Sequence, residues 1–383
     1  MAHAAPAVRD RFQSELSSAL SIASKSTTTK TRRAKTKVFF LWAQFCSEHN
    51  VSETLSTVQG QELKISYLLV FGLRYRKSGQ TNKSVRADTV DTAIAAVAAG
   101  ITDLGGVDPR KQTDGSNRNH PLLTAFIKAL RDQDDPSSRA YPANLTLIRA
   151  LLDALDLDDP IFGTLNAHII DLIIVAFYWL LRPAEYLKST DQEGRSQAFT
   201  FRDIHLTLGV VVYNGPNAPL HDVTQILRIS HATLAFTDQK NAVMGEQVGH
   251  LANSDPFFCP AKTLGRIARR LLLANAPPNT PLHMHYNAHP SHRRWYPTKT
   301  IFVTNALRHA ANSLPGYKDI DTKLIGSRSL RPGGATALMC ANIEPAYIAL
   351  LGRWKSDAMC RYLRTQAGSY HKHFSQKMLD HGA

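Results

Sequence analysis

Apolar residues recur at every third or fourth position along the first third of the chain. The segments VFFLWAQFC (38–46) and LLTAFIKALRD (122–132) are examples. This spacing places the apolar side chains on one face of a helix, and no strand-like alternation occurs in this region. The pattern therefore predicts helices over Val8–Ala23, Lys35–His49, Gly60–Arg76, Ala87–Leu104 and Leu122–Asp132.

The pattern changes after a polar, proline-containing break at Asp134–Arg139. Two apolar helices are predicted first, Leu145–Leu155 and Leu165–Leu181, and Pro183 ends the second. Stretches rich in Val, Ile, Thr and Phe, with partial alternation, then predict a small antiparallel sheet, with strands over Ala198–Ile204, Leu208–Tyr213 and Val223–Phe236. Helical spacing returns and predicts the helices Pro260–Asn275, Thr300–Ser313, Leu330–Ala341, Pro345–Leu351 and Ser356–Arg364.

The predicted fold class is mainly α with a small antiparallel β-sheet. A chain of 383 residues is long for a single core, so two domains are expected. The predicted division is an all-helical N-terminal domain over residues 8–132, a linker over 133–140 and a mixed α+β domain over 141–383.

The chain is basic, with 45 Lys and Arg residues against 31 Asp and Glu, a formal net charge of +14. This excess fits a polyanion such as nucleic acid, and an anionic membrane surface as well. No segment supports a membrane location, because the longest apolar run, Ile169–Leu181, is too short to span a bilayer and contains Asp171. The N-terminus has no apolar secretory core, and the four cysteines lack disulfide or metal-ligand spacing. An intracellular, DNA-associated location with reduced thiols is therefore expected.

Three short segments carry residues suited to chemistry on a phosphate. LLRPAEYL (180–187) puts Arg182 just after an apolar helix. RSLRPGGATAL (328–338) puts Arg331 at the start of a helix, with Pro332 in its first turn, and its two glycines allow a neighbouring backbone or a phosphate to approach closely. LLGRWKSDAMCRYLR (350–364) is expected to end a helix with Gly352 as the C′ residue, to expose an Arg-Trp pair and to begin a helix that carries Tyr362.

In their order along the chain, these segments resemble the active-site boxes of the tyrosine recombinase (phage integrase) family, over roughly the C-terminal two thirds of the chain. The GRWKSDA…RYLR segment is similar to integrases of eukaryotic mobile elements. The resemblance implies a site-specific recombinase that cleaves and rejoins double-stranded DNA through a 3′-phosphotyrosyl intermediate, with no metal or cofactor. It also implies a core-binding and a catalytic domain that clamp the duplex, a homo-oligomer (a tetramer) on DNA, and a nuclear location if the source is eukaryotic.

The chemistry of this family explains the residue types. Tyrosine is a weak nucleophile at neutral pH because its reference pKa is about 10, so cations must stabilise the phenolate and the phosphoryl oxygens. Arginine suits the phosphate because its planar guanidinium donates two hydrogen bonds and stays charged. By position, the resemblance implies Tyr362 as nucleophile, Lys240 as proton donor to the leaving 5′ oxygen, Glu185 as the acid that orients the cations, and Arg182, Arg331 and Trp354 as phosphate ligands.

Two departures from the family pattern affect the expected function. Arg328 stands where the family usually has histidine, and arginine cannot cycle a proton at neutral pH. The interval from Trp354 to Tyr362 is about one residue shorter than in many members. A recombinase-derived DNA-binding protein with impaired catalysis, or a relaxing enzyme like the type IB topoisomerases, therefore stays open as an alternative. Lys188 and Tyr370 are the weaker alternatives for the lysine and the nucleophile.

Two further groups of residues are candidates for binding. A Thr-rich basic run is either a solvated face or a phosphate contact, and it comprises Lys25, Lys30, Arg32, Arg33, Lys35 and Lys37. A second group lies in a basic loop that is expected to face solvent or DNA, since no carboxylate or cysteine completes a metal site. It comprises His283, Met284, His285, His289 and His292.

Overall fold

The structure, a computed structural model, describes residues 12, 14–19, 29–81, 83–136, 139–153, 165–188, 198–237, 245–287 and 293–354. It is mainly helical with a small antiparallel sheet, which confirms the predicted fold class. The chain divides into two compact units, Met1–Ser137 and Ser138–Ala383. Among the described residues, no helix has the length and apolarity needed to cross a membrane.

The first unit consists of helices. Residues 14–19 are helical, and four longer helices follow: α1 (Thr29–Glu48), α2 (Gln61–Ser78), α3 (Ala87–Asp103) and α4 (Pro121–Asp132). Helix α1 begins at Thr29 rather than at the predicted Lys35. The basic run contains no Gly or Pro to stop a helix, and Thr36 Oγ1 donates a hydrogen bond to the Arg32 carbonyl oxygen at 3.0 Å. Much of the basic run is therefore helical rather than a loop.

Aromatic side chains of α1 and α2 pack together within the largely aliphatic core of the first unit. Trp42 is fully buried, and its ring lies against Phe45 and Phe71 with centroids 5.5 and 5.3 Å away. Its Nε1 donates to the Glu53 carbonyl oxygen at 2.8 Å, which satisfies the one polar atom of the side chain. Asp134 accepts from the Ala87 backbone N–H at 2.9 Å, so the start of the predicted linker is bound to the N-terminus of α3.

The second unit combines helices with two small sheets. Its helices are α5 (Leu145–Asp153), α6 (Leu165–Tyr178), α7 (Pro183–Tyr186), α8 (Pro260–Leu273), α9 (Thr300–Ser313), α10 (Leu330–Cys340) and α11 (Pro345–Gly352). Its strands are β1 (Ile204–Leu208), β2 (Val211–Asn214), β3 (Ile229–Phe236), β4 (Glu246–Leu251), β5 (Met284–Asn287) and β6 (Arg294–Pro297). Single 3₁₀ turns and short 3₁₀ helices lie at Phe201–Asp203, Gly215–Asn217, Val223–Arg228, Pro315–Tyr317, Thr322–Leu324 and Ser327–Ser329.

Helix α6 is the centre of the second core, because its residues from Ala167 to Phe177 are buried on every side. The carboxylate of Asp171 is buried among them and is paired with two arginines of α8. Arg266 Nη2 donates to Asp171 Oδ1 at 2.6 Å, and Arg270 Nη2 donates to Oδ2 at 2.5 Å. An unpaired charge at this depth would be strongly unfavourable, so this network joins α6 to α8.

The larger sheet has the strand order β2-β1-β3-β4, and each pair is antiparallel. The sheet was predicted, but its strand bounds were partly wrong. The predicted strand Ala198–Ile204 contains a 3₁₀ turn at Phe201–Asp203, where Thr200 N and Oγ1 donate to Asp203 Oδ2 at 2.7 and 2.8 Å. The first half of the predicted strand Val223–Phe236 is 3₁₀ helix. Strands β4, β5 and β6 were not predicted.

Candidate active site

Arg182 lies at the turn between α6 and α7. Pro183 occupies the first position of α7, and Glu185 closes a capping interaction by accepting from the Arg182 backbone N–H at 2.8 Å. Arg182 Nη1 also donates to Glu185 Oε1 at 3.0 Å. The Glu185 side chain is 0% exposed, whereas that of Arg182 is 25% exposed. A buried carboxylate therefore orients a cation that stays accessible.

Arg331 lies in the first turn of α10, as predicted. A Cβ on Gly333 would collide with the Ala143 carbonyl oxygen, and one on Gly334 with the Phe177 carbonyl oxygen. The two glycines thus allow the backbone of neighbouring segments to approach closely. This was one of the two predictions for them, the other being the approach of a phosphate. This close packing brings Arg331 to the end of α6, where Nη1 donates to the Leu180 carbonyl oxygen at 2.8 Å.

Helix α11 ends differently from the prediction. Gly352 is the last helical residue, and Arg353 takes the left-handed C′ conformation with φ 56°. The Trp354 backbone N–H closes the turn by donating to the Ala349 carbonyl oxygen at 2.9 Å. Gly352 is needed for another reason, since a Cβ there would collide with the Trp354 ring.

Trp354 and Arg331 are in direct contact. Arg331 Cζ lies 4.1 Å from the centroid of the half-buried Trp354 ring, a favourable cation–π geometry. Arg331 Nη2 also donates to the Gly352 carbonyl oxygen. The second and third boxes therefore meet at one guanidinium.

The predicted exposed Arg-Trp pair is wrong for Arg353, whose side chain is 1% exposed. Arg353 Nη2 donates to Glu185 Oε2 at 3.2 Å and to the Leu180 carbonyl oxygen at 3.4 Å. Its Cζ lies 4.0 Å from the centroid of the Phe236 ring at the end of β3. Sequence reasoning missed this residue. Its only signal was a position inside the box, between a close-packed glycine and the tryptophan.

Positive charge exceeds negative charge in this cluster. Arg182 and Arg353 both pair with the buried carboxylate of Glu185, and Arg331 meets Arg353 at the Leu180 carbonyl oxygen, to which both guanidinium groups donate. Burial lowers the pKa of Arg353 to about 10, and the charge of Glu185 opposes that shift. Arg353 is therefore still protonated at neutral pH, and the three arginines outnumber the two carboxylates that act on it, Glu185 and Glu246. Such a site favours an anion with several acceptor oxygens.

Arg328 has a different environment from the other two predicted arginines. Its side chain is exposed, and within the described residues no hydrogen bond or ion pair joins it to the cluster. Its neighbours are fixed, however: Tyr186 Oη donates to the Ser327 carbonyl oxygen at 3.1 Å, and the Ala143 N–H donates to the Ser329 carbonyl oxygen at 2.9 Å. Arg328 thus extends outward from an anchored segment beside α7.

The remaining candidates for catalysis are Lys240, Tyr362 and Tyr370, and all three lie outside the described residues. Lys240 belongs to the connection between β3 and β4, which begins just after Phe236. Lys188, the alternative lysine, is exposed, and its backbone N–H donates to the Thr298 carbonyl oxygen at 3.1 Å.

The histidine group is not the open loop that the sequence suggested. His283 is buried and His285 is half-buried, and the His285 ring centroid lies 5.7 Å from that of His168 on α6. Burial lowers the pKa of His283 and of His285 to about 4. His289 and His292 lie outside the described residues. In the part of the chain that is described, no group of three or more His, Cys, Asp or Glu side chains could hold a metal ion.

The basic run lies on the first unit. Arg32, Arg33, Lys35 and Lys37 are exposed on α1. Lys30 is within α1, but its side chain lies outside the described part, as does the whole of Lys25.

Comparison with known proteins gives a distant likeness. No protein-family model and no curated protein matches this sequence. Among solved structures, the chain is similar to the Tn1549 transposon integrase in complex with transposon right end DNA, at 12% identity and a TM-score of 0.43, covering 90% of this chain and 99% of that one. The same integrase in complex with circular intermediate DNA is similar at 13% identity and a TM-score of 0.40, covering 85% and 94%. A likeness this distant says nothing about the site of this chain.

Proposed function

We propose that this protein is a DNA strand transferase that cleaves and rejoins duplex DNA as a site-specific recombinase. One observation carries the proposal. Three segments that are far apart in the sequence, around Arg182, Arg331 and Trp354, converge on one cation-rich cluster with a single buried carboxylate. These are the same three segments whose sequences resemble the active-site boxes of the tyrosine recombinases.

The proposed reaction assigns a role to each residue. Arg182 and Arg331 stabilise the charge on the non-bridging phosphate oxygens, and the Trp354 indole N–H donates to one of them. The Tyr362 oxygen attacks the phosphorus, and the bond from phosphorus to the 5′ oxygen breaks. Lys240 gives a proton to that leaving oxygen, so the products are a 3′-phosphotyrosyl link and a free 5′-hydroxyl. Attack by the 5′-hydroxyl of another strand reverses these steps and releases the tyrosine.

The proposed substrate is double-stranded DNA, which the net charge of +14 favours. We propose that the helical first unit is a core-binding domain that clamps the duplex together with the catalytic second unit. Exchange between two duplexes requires one nucleophile for each of their four strands, so the proposed active form is a tetramer. Because the phosphotyrosyl link conserves the energy of the broken bond, the reaction needs no nucleotide cofactor.

A second candidate function is favoured by Arg328. Its guanidinium stays charged where the family usually has a proton-cycling histidine, so the chain could bind DNA without turning it over efficiently. A relaxing enzyme would instead cleave and reseal a single strand. These candidates differ in whether a covalent adduct forms and in whether strands from two duplexes are exchanged.

The test is covalent trapping on nicked duplexes that carry the DNA flanking the gene. Cleavage next to the nick releases a short fragment, and its loss leaves protein linked to DNA on a denaturing gel. The wild-type chain is expected to give a protease-sensitive band, and Tyr362→Phe to abolish it while duplex binding persists. If no band forms with the wild-type chain, the impaired DNA-binding protein is the better description. A band that persists in Tyr362→Phe would move the nucleophile to Tyr370 or overturn the mechanism.

A further inference from the structure

We infer that Arg353, to which the resemblance assigns no role, is a positioning residue that keeps Arg182 available to the scissile phosphate. The inference rests on the proposed function. The side chain of Arg353 is 1% exposed, and its guanidinium is committed to Glu185 and to backbone carbonyl oxygens, so we assign it no direct contact with DNA. Its effect must pass through the residues that it contacts.

The guanidinium of Arg353 joins four segments of the second unit. It donates to the carbonyl oxygens of Trp179, Leu180 and Leu351 at 3.2, 3.4 and 3.0 Å. It also pairs with Glu185 on α7 and lies over the Phe236 ring at the end of β3. The end of α6, the start of α7, the strand that leads to the Lys240 connection and the end of α11 are therefore tied to one side chain.

The contacts of Glu185 indicate how Arg353 affects the side chain of Arg182. Oε2 accepts from the Arg182 backbone N–H at 2.8 Å and from Arg353 Nη2 at 3.2 Å. Oε1 accepts from Arg182 Nη1 at 3.0 Å. Because Arg353 shares Oε2, the side chain of Arg182 meets the carboxylate through one nitrogen rather than as a two-point fork. A pair in which Arg182 donated two parallel hydrogen bonds to Glu185 would be stronger. It would also turn these Arg182 N–H groups away from a phosphate.

The backbone of Arg353 argues against a purely structural role. A left-handed C′ position favours glycine, since a Cβ there is strained. If Arg353 only ended α11, Arg353→Gly would be neutral or stabilising. An arginine occupies this position instead. Its side chain contacts the Glu185 carboxylate, three backbone carbonyl oxygens and the Phe236 ring.

The chain offers a matched control for this substitution. Asn275 also has a left-handed conformation, with φ 51°, just after α8. It has no contact with the cluster within the described residues, so Asn275→Gly makes the same backbone change away from the site. Arg353→Lys keeps a charge that can reach Glu185, and Glu185→Gln removes the charge that would capture Arg182.

The experiment measures single-turnover cleavage, duplex affinity and thermal stability of the full-length chain, on the nicked duplexes described above. Arg353→Gly is expected to slow cleavage about 10²-fold, as small misplacements of catalytic groups do, with little change in affinity at a temperature where the variant is fully folded, and to lower the melting temperature because a buried ion pair is broken. Arg353→Lys is expected to retain part of the rate. Combining Arg353→Gly with Glu185→Gln is expected to raise the cleavage rate at least about tenfold over that of Arg353→Gly alone, since the two residues are in direct contact and should be coupled. Asn275→Gly should cleave like the wild-type chain.

A second readout does not depend on activity. Phenylglyoxal modifies accessible arginines, and peptide mass spectrometry reports the rate at Arg182. Arg353→Gly should slow this modification because Arg182 becomes forked to Glu185, and the added Glu185→Gln should restore it. Unchanged cleavage and unchanged modification in Arg353→Gly would overturn the inference. If the wild-type chain gives no covalent adduct, the proposed function fails, and the modification rates alone decide whether Arg353 controls Arg182.

Discussion

The indole ring of Trp354 covers the guanidinium of Arg331, with Arg331 Cζ 4.1 Å from the ring centroid. The ring can be held there because Gly352 has no side chain to obstruct it. The contact gives Trp354 two separable properties, a flat surface against a cation and an N–H that can donate to a phosphate oxygen. Substitutions can test the two properties one at a time.

Trp354→Phe keeps a ring over Arg331 and removes the N–H. If the indole donates to the phosphate in the transition state, cleavage should fall about 10²–10³-fold with duplex affinity nearly unchanged. Trp354→Ala also removes the packing and should lower the free energy of unfolding by up to about 3 kcal/mol. Urea unfolding and single-turnover cleavage measure the two effects. A wild-type rate in Trp354→Phe would mean that the residue only packs against Arg331.

Arg328 extends from an anchored segment and is free to approach a bound phosphate. If it acts as a phosphate donor, Arg328→Ala should slow cleavage about 10²–10³-fold, whereas Arg328→His should be tolerated or should raise turnover. Arg202→Ala, which removes an exposed arginine from another 3₁₀ turn, is the control and should cleave normally. Normal cleavage by Arg328→Ala as well would show that position 328 has no part in the chemistry.

Sequence patterns predicted the helices because helix formation depends on local spacing and on terminal residues. Helix α9 spans Thr300–Ser313 as predicted. The sheet was harder to predict. Strand β4 (EQVGHL) lies at the sheet edge and alternates only between exposed and half-buried positions, so it has no apolar repeat. Strands β5 (MHYN) and β6 (RWYP) also have no apolar repeat, so the sequence there predicted a polar loop.

The candidate site was partly predictable. The sequence marked Arg182, Glu185, Arg331 and Trp354 because their segments resemble the family's boxes, and these segments meet in the structure. Arg353 was missed because its partners are mainly backbone carbonyl oxygens, which tertiary packing brings together from separate segments. No periodicity in the sequence records such partners, and a lone arginine near a helix end is ordinarily solvated.

The Asp171 network should contribute strongly to stability. Asp171→Leu leaves Arg266 and Arg270 without their carboxylate, and breaking a buried pair in this way typically costs about 3–5 kcal/mol. The exposed pair between Asp88 and Arg131 provides the control, since Asp88→Ala should cost at most about 1 kcal/mol. Urea unfolding at neutral pH measures both. If Asp171→Leu and Asp88→Ala lost equally little stability, apolar packing would be able to replace the buried charge of Asp171.

The buried histidines predict a dependence of stability on pH. The ordinary histidine pKa is about 6.5, and burial lowers those of His283 and His285 to about 4. Between these values the unfolded chain binds protons that the folded chain does not. Stability is therefore complete above about pH 6.5 and falls as the pH is lowered towards 4, by up to about 1.4 kcal/mol per pH unit for each histidine.

Urea unfolding midpoints between pH 7.5 and pH 5 test this slope. His283→Gln should flatten it, and His309→Gln, at an exposed position on α9, should leave it unchanged. A slope that is the same in both variants would assign the acid sensitivity to other groups.

The basic run on α1 predicts how DNA binding depends on salt. Each phosphate that a basic side chain neutralises contributes about 0.9 to the slope of log affinity against log salt concentration. Arg32, Arg33, Lys35 and Lys37 are exposed. Replacing all four with alanine should flatten the slope by up to about 3–4 units if each meets a phosphate. Affinity for specific and non-specific duplexes should fall about equally, because phosphate contacts carry no sequence information.

The positions of the four basic residues around α1 allow a more specific prediction. Arg33 and Lys37 are four residues apart and lie on one flank of the helix, whereas Arg32 and Lys35 are three apart and lie on another. If the duplex lies along one flank, replacing the pair on that flank should lower the salt slope by about 1.8 units. Replacing the other pair should change the slope little. Replacing Lys77, Lys83, Arg118 and Lys128, all exposed in the first unit, removes the same charge elsewhere. If this control flattens the slope as much as the α1 variant does, the first unit attracts DNA through its overall charge, and α1 is only a solvated face.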